Sequence, residues 1–357
     1  MERSKRQKQR KVLLMGRSGA GKSSMRSIIF SNYVAKDVRR LGATIDVEHS
    51  NIRFMGNLML NLWDCGGQDS FVESYLSNQR SHVFTSVAVL IFVFDISSRE
   101  AALDTLSFAS TIRALHEFSP TSKIFVLIHK MDLVAPDHRP RVVHQKALDL
   151  RATCADEGFA SAQVDFWATS IWDQSLYRAW TQVIYFLVPN AAAIEEMLGR
   201  LAGLLEAREV VLYERTTCLV VTHVTRGVEE GNPYSDRFER MSSILKTHKH
   251  SMARHTGTMA SEVSFAELQI KMGEFMLFIT RLTENTNLAV VMASDEASFY
   301  AARVNVQLAR REFAHLDIVE KKGKEVQRQA KGVAGVEEEV RAMDDGEVSS
   351  SGRASDR

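Results

Sequence analysis

The chain has 357 residues, 45% hydrophobic and 25% charged, the composition of a globular protein and not of a disordered or fibrous one; at this length two domains are expected. Forty-five Lys and Arg residues face 44 Asp and Glu, a formal net charge of +1, so no global field attracts nucleic acid and none is expected as a partner. Three widely spaced cysteines, Cys65, Cys154 and Cys218, lack metal-ligand spacing and, as an odd and sparse set, point to a reducing compartment.

Residues 1–10 hold Arg3, Lys5, Arg6, Lys8 and Arg10 and read as a basic, solvated tail. Only Val12 to Met15 follow as an apolar stretch, too short for a signal-peptide core, and no run nears the roughly 18 apolar residues of a spanning helix. Glu2 stands where myristoylation needs glycine, and Ala354-Ser355-Asp356-Arg357 carries no prenylation signal, so membrane contact is expected only through partners.

Over residues 11–190, strand-like runs alternate with helical stretches. The strands are Lys11 to Met15, Asn57 to Trp63, Val87 to Asp95, Ile124 to His129 and Val164 to Thr169; the helices are Lys22 to Tyr33, Ala101 to Glu117, Arg141 to Glu157 and Ser175 to Val188. This alternation predicts an α/β, doubly wound domain with a mostly parallel sheet. Residues 191–318 read differently: a helix around Ile194 to Leu205, paired strands Val210 to Tyr213 and Cys218 to Val224, a helix Phe238 to Lys249, a hairpin Phe275 to Leu282 with Leu288 to Ser294, and a helix Glu296 to Leu316. That is an α+β domain whose sheet is expected to have one covered face. The Met and Phe stripe of Lys271 to Phe278 is expected in its core. Residues 319–357, charged and poor in large apolar side chains, are expected to be disordered.

Gly16-Arg17-Ser18-Gly19-Ala20-Gly21-Lys22-Ser23 matches GxxxxGK[ST] between the first strand and first helix, the context that a P-loop NTPase requires. Its glycines let the backbone wrap a phosphate, Lys22 bridges the terminal phosphates, Ser23 ligates magnesium, and Ser24 continues the helix start. Thr44 lies in a loop that can put a hydroxyl on magnesium and the terminal phosphate. Asp64-Cys65-Gly66-Gly67-Gln68 has the DxxG spacing of a switch GTPase: Asp64 for the metal shell, Gly67 for the terminal phosphate, Gln68 to orient the attacking water. In His129-Lys130-Met131-Asp132, Asp132 can accept two hydrogen bonds from guanine, a donor pair that adenine lacks, and Lys130 can lie along the base. Ser170 and Ile171 are candidates for contacting the guanine carbonyl. The catalytic candidates are therefore Gln68, Lys22 and Thr44, and the metal candidates Ser23, Thr44 and Asp64. Arg17 is the one arginine of these boxes with a chance of reaching the transferred phosphoryl.

With these boxes in order, the chain resembles the Rag GTPases, in particular the RagA/RagB branch called Gtr in fungi. The match is carried by Met15 to Ser27, Thr44-Ile45-Asp46-Val47-Glu48-His49-Ser50, Asn61-Leu62-Trp63-Asp64-Cys65-Gly66-Gly67-Gln68-Asp69 and His129 to Asp132, and spans Lys11 to Leu316. Histidine in place of asparagine at 129 is a feature of that branch. The resemblance implies a Ras-like domain binding GTP or GDP with Mg2+, then a roadblock-type dimerisation domain. It also implies a heterodimer with a RagC-like subunit, a Ragulator or Ego scaffold, a GTPase-activating protein, and signalling of amino-acid sufficiency to the target-of-rapamycin complex. The implied location is cytoplasmic, with recruitment to the vacuolar or lysosomal membrane and the nucleus as a further compartment. The rival reading is a nucleotide-stabilised scaffold that does not hydrolyse. An ATPase or metabolic kinase on the same loop is disfavoured by Asp132.

Overall fold

The computed structural model describes residues 8–31, 33, 35–36, 38, 48–53, 58–65, 80–188, 191–227, 234, 236–257 and 267–314. The expected C-terminal tail, and residues 1–7 of the N-terminal one, lie outside these. The first compact unit ends at Ala309; of the second, residues 310–314 are described, and they are helical.

The first half runs β1 (Lys8–Met15), α1 (Lys22–Phe30), β2 (Glu48–Arg53), β3 (Leu58–Asp64), α2 (Arg80–Phe84), β4 (Val87–Asp95), α3 (Ala101–Phe118), β5 (Lys123–His129), α4 (Arg139–Asp156), β6 (Val164–Thr169) and α5 (Ser175–Leu187). Its sheet has the order β2-β3-β1-β4-β5-β6, parallel throughout except for β2 against β3. The central strands read as unbroken apolar runs because helices cover both faces: Val89 to Phe94 and Ile124 to Ile128 are all buried. Phe92, Phe94 and Phe108 of α3 pack at 4.9–5.4 Å between ring centroids.

Two elements escape the hydrophobic pattern. Strand β2, Glu48-His49-Ser50-Asn51-Ile52-Arg53, is polar because it lies at the edge, where backbone pairing with β3 suffices. Helix α2 is five residues long, too short to show a helical period. Strand β1 starts at Lys8, three residues before the expected start at Lys11, through pairing of Lys8 to Arg10 with Leu58 to Leu60.

The second half contains α6 (Ala191–Leu204), β7 (Glu209–Glu214), β8 (Val220–Thr225), α7 (Arg237–Thr256), β9 (Glu267–Lys271), β10 (Phe275–Arg281), β11 (Thr286–Ala293) and α8, which begins at residue 296. An antiparallel sheet of order β8-β7-β11-β10-β9 results. The single covered face expected from the sequence is corrected to two. One face packs Val211, Tyr213, Leu277, Ile279 and Ala289 with Phe238 and Leu245 of α7. On the other, Phe278 meets Phe299 of α8 at 5.3 Å, and α6 packs on β7 and β8. Accordingly β7 is buried along its whole length. Strand β9 was not expected: it pairs with β10 yet leaves Ile270 and Met272 exposed, so the Met and Phe stripe is core only from Met276 onward.

Strand register brings the first sheet's C-terminal ends into one row. Leu14 pairs with Asp64, Asp95 with His129, and His129 with Thr169. In an open parallel sheet this edge is where ligands bind.

Candidate functional site

Residues 16–21 join β1 to α1, and three glycines shape the loop, with φ of +138° at Gly16, +79° at Gly19 and +96° at Gly21. A Cβ at Gly16 would overlap the carbonyl oxygen of Val93 in β4, and one at Gly21 would sit 2.9 Å from His129 Cδ2. The loop is thus pinned against two neighbouring strands by backbone that side chains would displace. Gly21 caps α1 without a side-chain hydrogen bond, and a helix N-terminus of this kind is where an anion is held by backbone amides. Lys22 is buried, and its Nζ donates to the carbonyls of Gly16 (2.6 Å) and Arg17 (3.0 Å). Burial lowers its pKa to about 8, with Asp64 and Cys65 opposing. This ammonium is curled onto its own loop, where phosphate oxygens can replace the carbonyls.

At the end of β3, Asp64 is fully buried, and burial raises its pKa against the opposing effects of Ser23, Arg26 and Lys22. Arg26 Nε stands 3.2 Å from its Oδ2 without good alignment, and the Ser23 hydroxyl is its other near donor. A sealed carboxylate beside a serine hydroxyl is a donor set that suits a hydrated divalent cation. Arg26 also pairs with Glu48 and reaches Ser50 Oγ at 3.3 Å, tying β2 to α1. Cys65 is a packing residue: burial pushes its thiol up to about 12. Arg17 carries an ion pair with Glu100 at 2.5 Å and with Asp104 of α3 at 3.5 Å, so its guanidinium is engaged at the start of that helix.

Where guanine-specific enzymes keep asparagine, His129 bridges two loops: its ring lies against Gly21, and its Nδ1 is 3.0 Å from Thr169 Oγ1. Burial, with a smaller push from Lys130, lowers its pKa to about 4, so it is neutral at pH 7. Lys130 takes a left-handed φ of +63° and donates to Asp95 Oδ2 at 2.6 Å. Burial tends to raise the Asp95 pKa, but Lys130 and Ser97 lower it more, and the net shift is downward. Asp132 Oδ1 accepts from the Ser170 hydroxyl at 2.6 Å, while the Ser170 amide donates to Ser175 Oγ at 2.9 Å. Ile171 follows in the same loop, half-buried.

The structure therefore brings Arg17 to Ser24, Asp64, His129, Lys130, Asp132, Ser170 and Ile171 to one edge of the sheet. Thr44, Gly67 and Gln68 lie outside the described residues. Asp95, Ser175 and Glu100 position site residues without belonging to a motif, while Thr169 and Arg26 do so from inside the stretches the sequence had singled out. Of the first three, Asp95 alone had a sequence signal, as an acid closing the most apolar strand.

The depressed His129 pKa has a measurable consequence. The unfolded chain, titrating near 6.5, binds a proton that the folded chain refuses until about pH 4. The contribution is complete above pH 6.5 and is lost as pH falls, by about 1.4 kcal/mol per unit and roughly 3 kcal/mol at pH 4. Urea midpoints of His129→Asn should fall less steeply across that window than those of the wild type; equal slopes would contradict the assignment.

Residues 11–245 match the model of the family described as "Gtr1/RagA G protein conserved region". The chain is 48% identical over 304 residues to "GTP-binding protein gtr1" of Schizosaccharomyces pombe, covering 85% of this chain and 94% of that one. It is 45% identical over 311 residues to "Ras-related GTP-binding protein A" of Dictyostelium discoideum, covering 85% and 96%. A more distant likeness, 27% over 193 residues, covers 53% of this chain and 47% of "Ras-related GTP-binding protein C" of Homo sapiens.

Proposed function

We propose that this chain, which belongs to the Gtr1/RagA family of G proteins and is a GTPase, works as a slow molecular switch within a heterodimer. The observation that carries this reading is the convergence of a phosphate-side ammonium, Lys22, and a base-side carboxylate, Asp132, on one sheet edge whose loops are locked by His129. The loop amides and Lys22 hold the phosphates of GTP or GDP. Ser23, Thr44 and Asp64 would hold Mg2+, which would supply positive charge to the phosphates; the buried carboxylate of Asp64 beside the Ser23 hydroxyl fits that group. Gln68 orients the attacking water, while Thr44 and the amide of Gly67 respond to the terminal phosphate, so that hydrolysis releases both loops. Because Arg17 is engaged by Glu100 and Asp104, the positive charge for the transferred phosphoryl comes from an activating protein in trans, worth about 10³ to 10⁵ in rate.

In the same reading residues 191–318 form a roadblock-type domain that pairs with a RagC-like subunit. A Ragulator- or Ego-type scaffold holds the pair at the vacuolar or lysosomal membrane, where it signals amino-acid sufficiency to the target-of-rapamycin complex. Among the described residues no helix is long and apolar enough to cross a membrane. The test is Gln68→Leu in the heterodimer: single-turnover GTP hydrolysis with activating protein should fall by at least about 10³, and the variant should retain partners selective for the GTP state. Unchanged hydrolysis and unchanged partner binding would favour the non-hydrolysing scaffold instead.

A further inference from the structure

Helix α1 begins in the phosphate loop, and its far end is held by the second half of the molecule. A helix leaves its last four carbonyls without partners of its own; in α1 these start at Ser27. The Ser27 carbonyl accepts from the amides of Ser31 (3.0 Å) and Tyr33 (3.2 Å). The last turn of α1 has no basic residue. The carbonyls of Ile28 and Ile29 instead accept from one ammonium on α7, Lys246 Nζ, at 2.7 and 2.8 Å. Lys246 is 1% exposed, and its Nζ lies 5.0 Å from the centre of the Tyr177 ring of α5. Burying an ammonium is costly unless it is fully satisfied, so the contact binds both sides: the lysine needs the two carbonyls as much as they need it. Burial lowers its pKa to about 7, with Cys218 and Glu214 favouring the charge and Lys249 opposing it.

We propose that Lys246 is a positioning residue for the nucleotide site: by anchoring the C-terminal end of α1 to α7, it lets the second half of the molecule set how firmly the phosphate loop holds its nucleotide. This rests on the guanine-nucleotide reading above. A helix of nine residues is a rod of about 13 Å, short enough for a shift at one end to reach the other. A cation at a helix C-terminus also complements the partial negative charge there, as a phosphate complements the positive end. Without Lys246 two buried carbonyls lose the donor that the described residues give them, the helix end moves to find others, and the loop built on its first turn moves with it.

Lys249 supplies the matched control. It lies on the same helix, is also buried, and donates to the Arg215 carbonyl at 2.8 Å, within the second half. The experiment loads the full-length chain with fluorescent N-methylanthraniloyl-GDP and follows its release into excess unlabelled GDP. Lys246→Met should release about tenfold faster than wild type, Lys246→Gln, which keeps a donor, should fall between them, and Lys249→Met should stay within about twofold of wild type. Equal acceleration by Lys246→Met and Lys249→Met, or none by Lys246→Met, overturns the proposal. Should the Lys246 variants not fold, hydrogen exchange of the wild type decides: stripping the nucleotide with EDTA should lower protection of the α7 amides around Lys246, and unchanged protection overturns the proposal. A wild-type chain that fails to bind the fluorescent GDP removes the guanine reading and the coupling together, whereas normal binding with unchanged release rejects the coupling alone.

Discussion

Asp132→Asn should lose affinity for GTP by at least about 100-fold while gaining affinity for xanthosine triphosphate. A carboxylate only accepts hydrogen bonds, and guanine offers two donors side by side, the ring N–H and the exocyclic amine. In this chain one oxygen of Asp132 already accepts from the Ser170 hydroxyl at 2.6 Å. The asparagine oxygen inherits that bond, so the amide NH2 turns toward the base, where it meets the guanine amine donor against donor. Xanthine carries a carbonyl at that position and accepts instead. Competition of labelled GTP with unlabelled GTP and xanthosine triphosphate on the wild type and the variant reads both directions. Equal GTP affinity in the two proteins would remove Asp132 from the base site.

Gly16→Ala is the second change of large effect, and it acts through backbone alone. The residue sits at φ +138°, and a methyl group there overlaps the Val93 carbonyl oxygen, which belongs to a central strand buried from Val89 to Phe94. Neither side can yield cheaply: β4 is paired to both β1 and β5, and the loop has Lys22 hydrogen-bonded to Gly16's own carbonyl. Unfavourable φ and steric overlap together cost on the order of 3 kcal/mol or more, so the variant should fail to retain nucleotide and melt well below the wild type. Gly19→Ala is the informative comparison, because its Cβ would meet nothing within 4 Å and only the φ penalty remains. Calorimetric midpoints and nucleotide content measured on both variants check the ranking; equal losses would mean that conformation, not the contact with Val93, governs the loop.

The phosphate loop was legible because its requirements are local. Backbone turns that need glycine, the lysine and the serine all fall within eight consecutive residues followed by a helix. The base-side residues were legible for the same reason, as four residues closing a strand. What could not be read were partners set by register between strands. Asp95 meets Lys130 because β4 and β5 align Asp95 with His129, and no spacing along the chain encodes that alignment. The resemblance accounts for a histidine at 129, but what its ring touches, Gly21 and Thr169, comes only from the structure.

The two edge strands β2 and β9 were missed for a different cause, although the other four strands of the second sheet were legible. Hydrophobic periodicity reports burial and not hydrogen bonding, so polar β2 left no trace, while β9, Glu267 to Lys271, alternates polar and apolar residues over only five positions and was passed over. A sheet covered on both faces also loses the alternation that a one-sided sheet shows. Lys246 is the extreme case: a lysine in a polar helix reads as solvated, and only the fold reveals it sealed against the end of α1.

The central claim is that one edge of the first sheet holds a guanine nucleotide through Lys22 and Asp132. The most direct measurement is to purify the chain with magnesium, denature it and identify the released nucleotide by chromatography. The account predicts GDP or GTP in a one-to-one ratio with the chain; adenine nucleotide, or none, would contradict it.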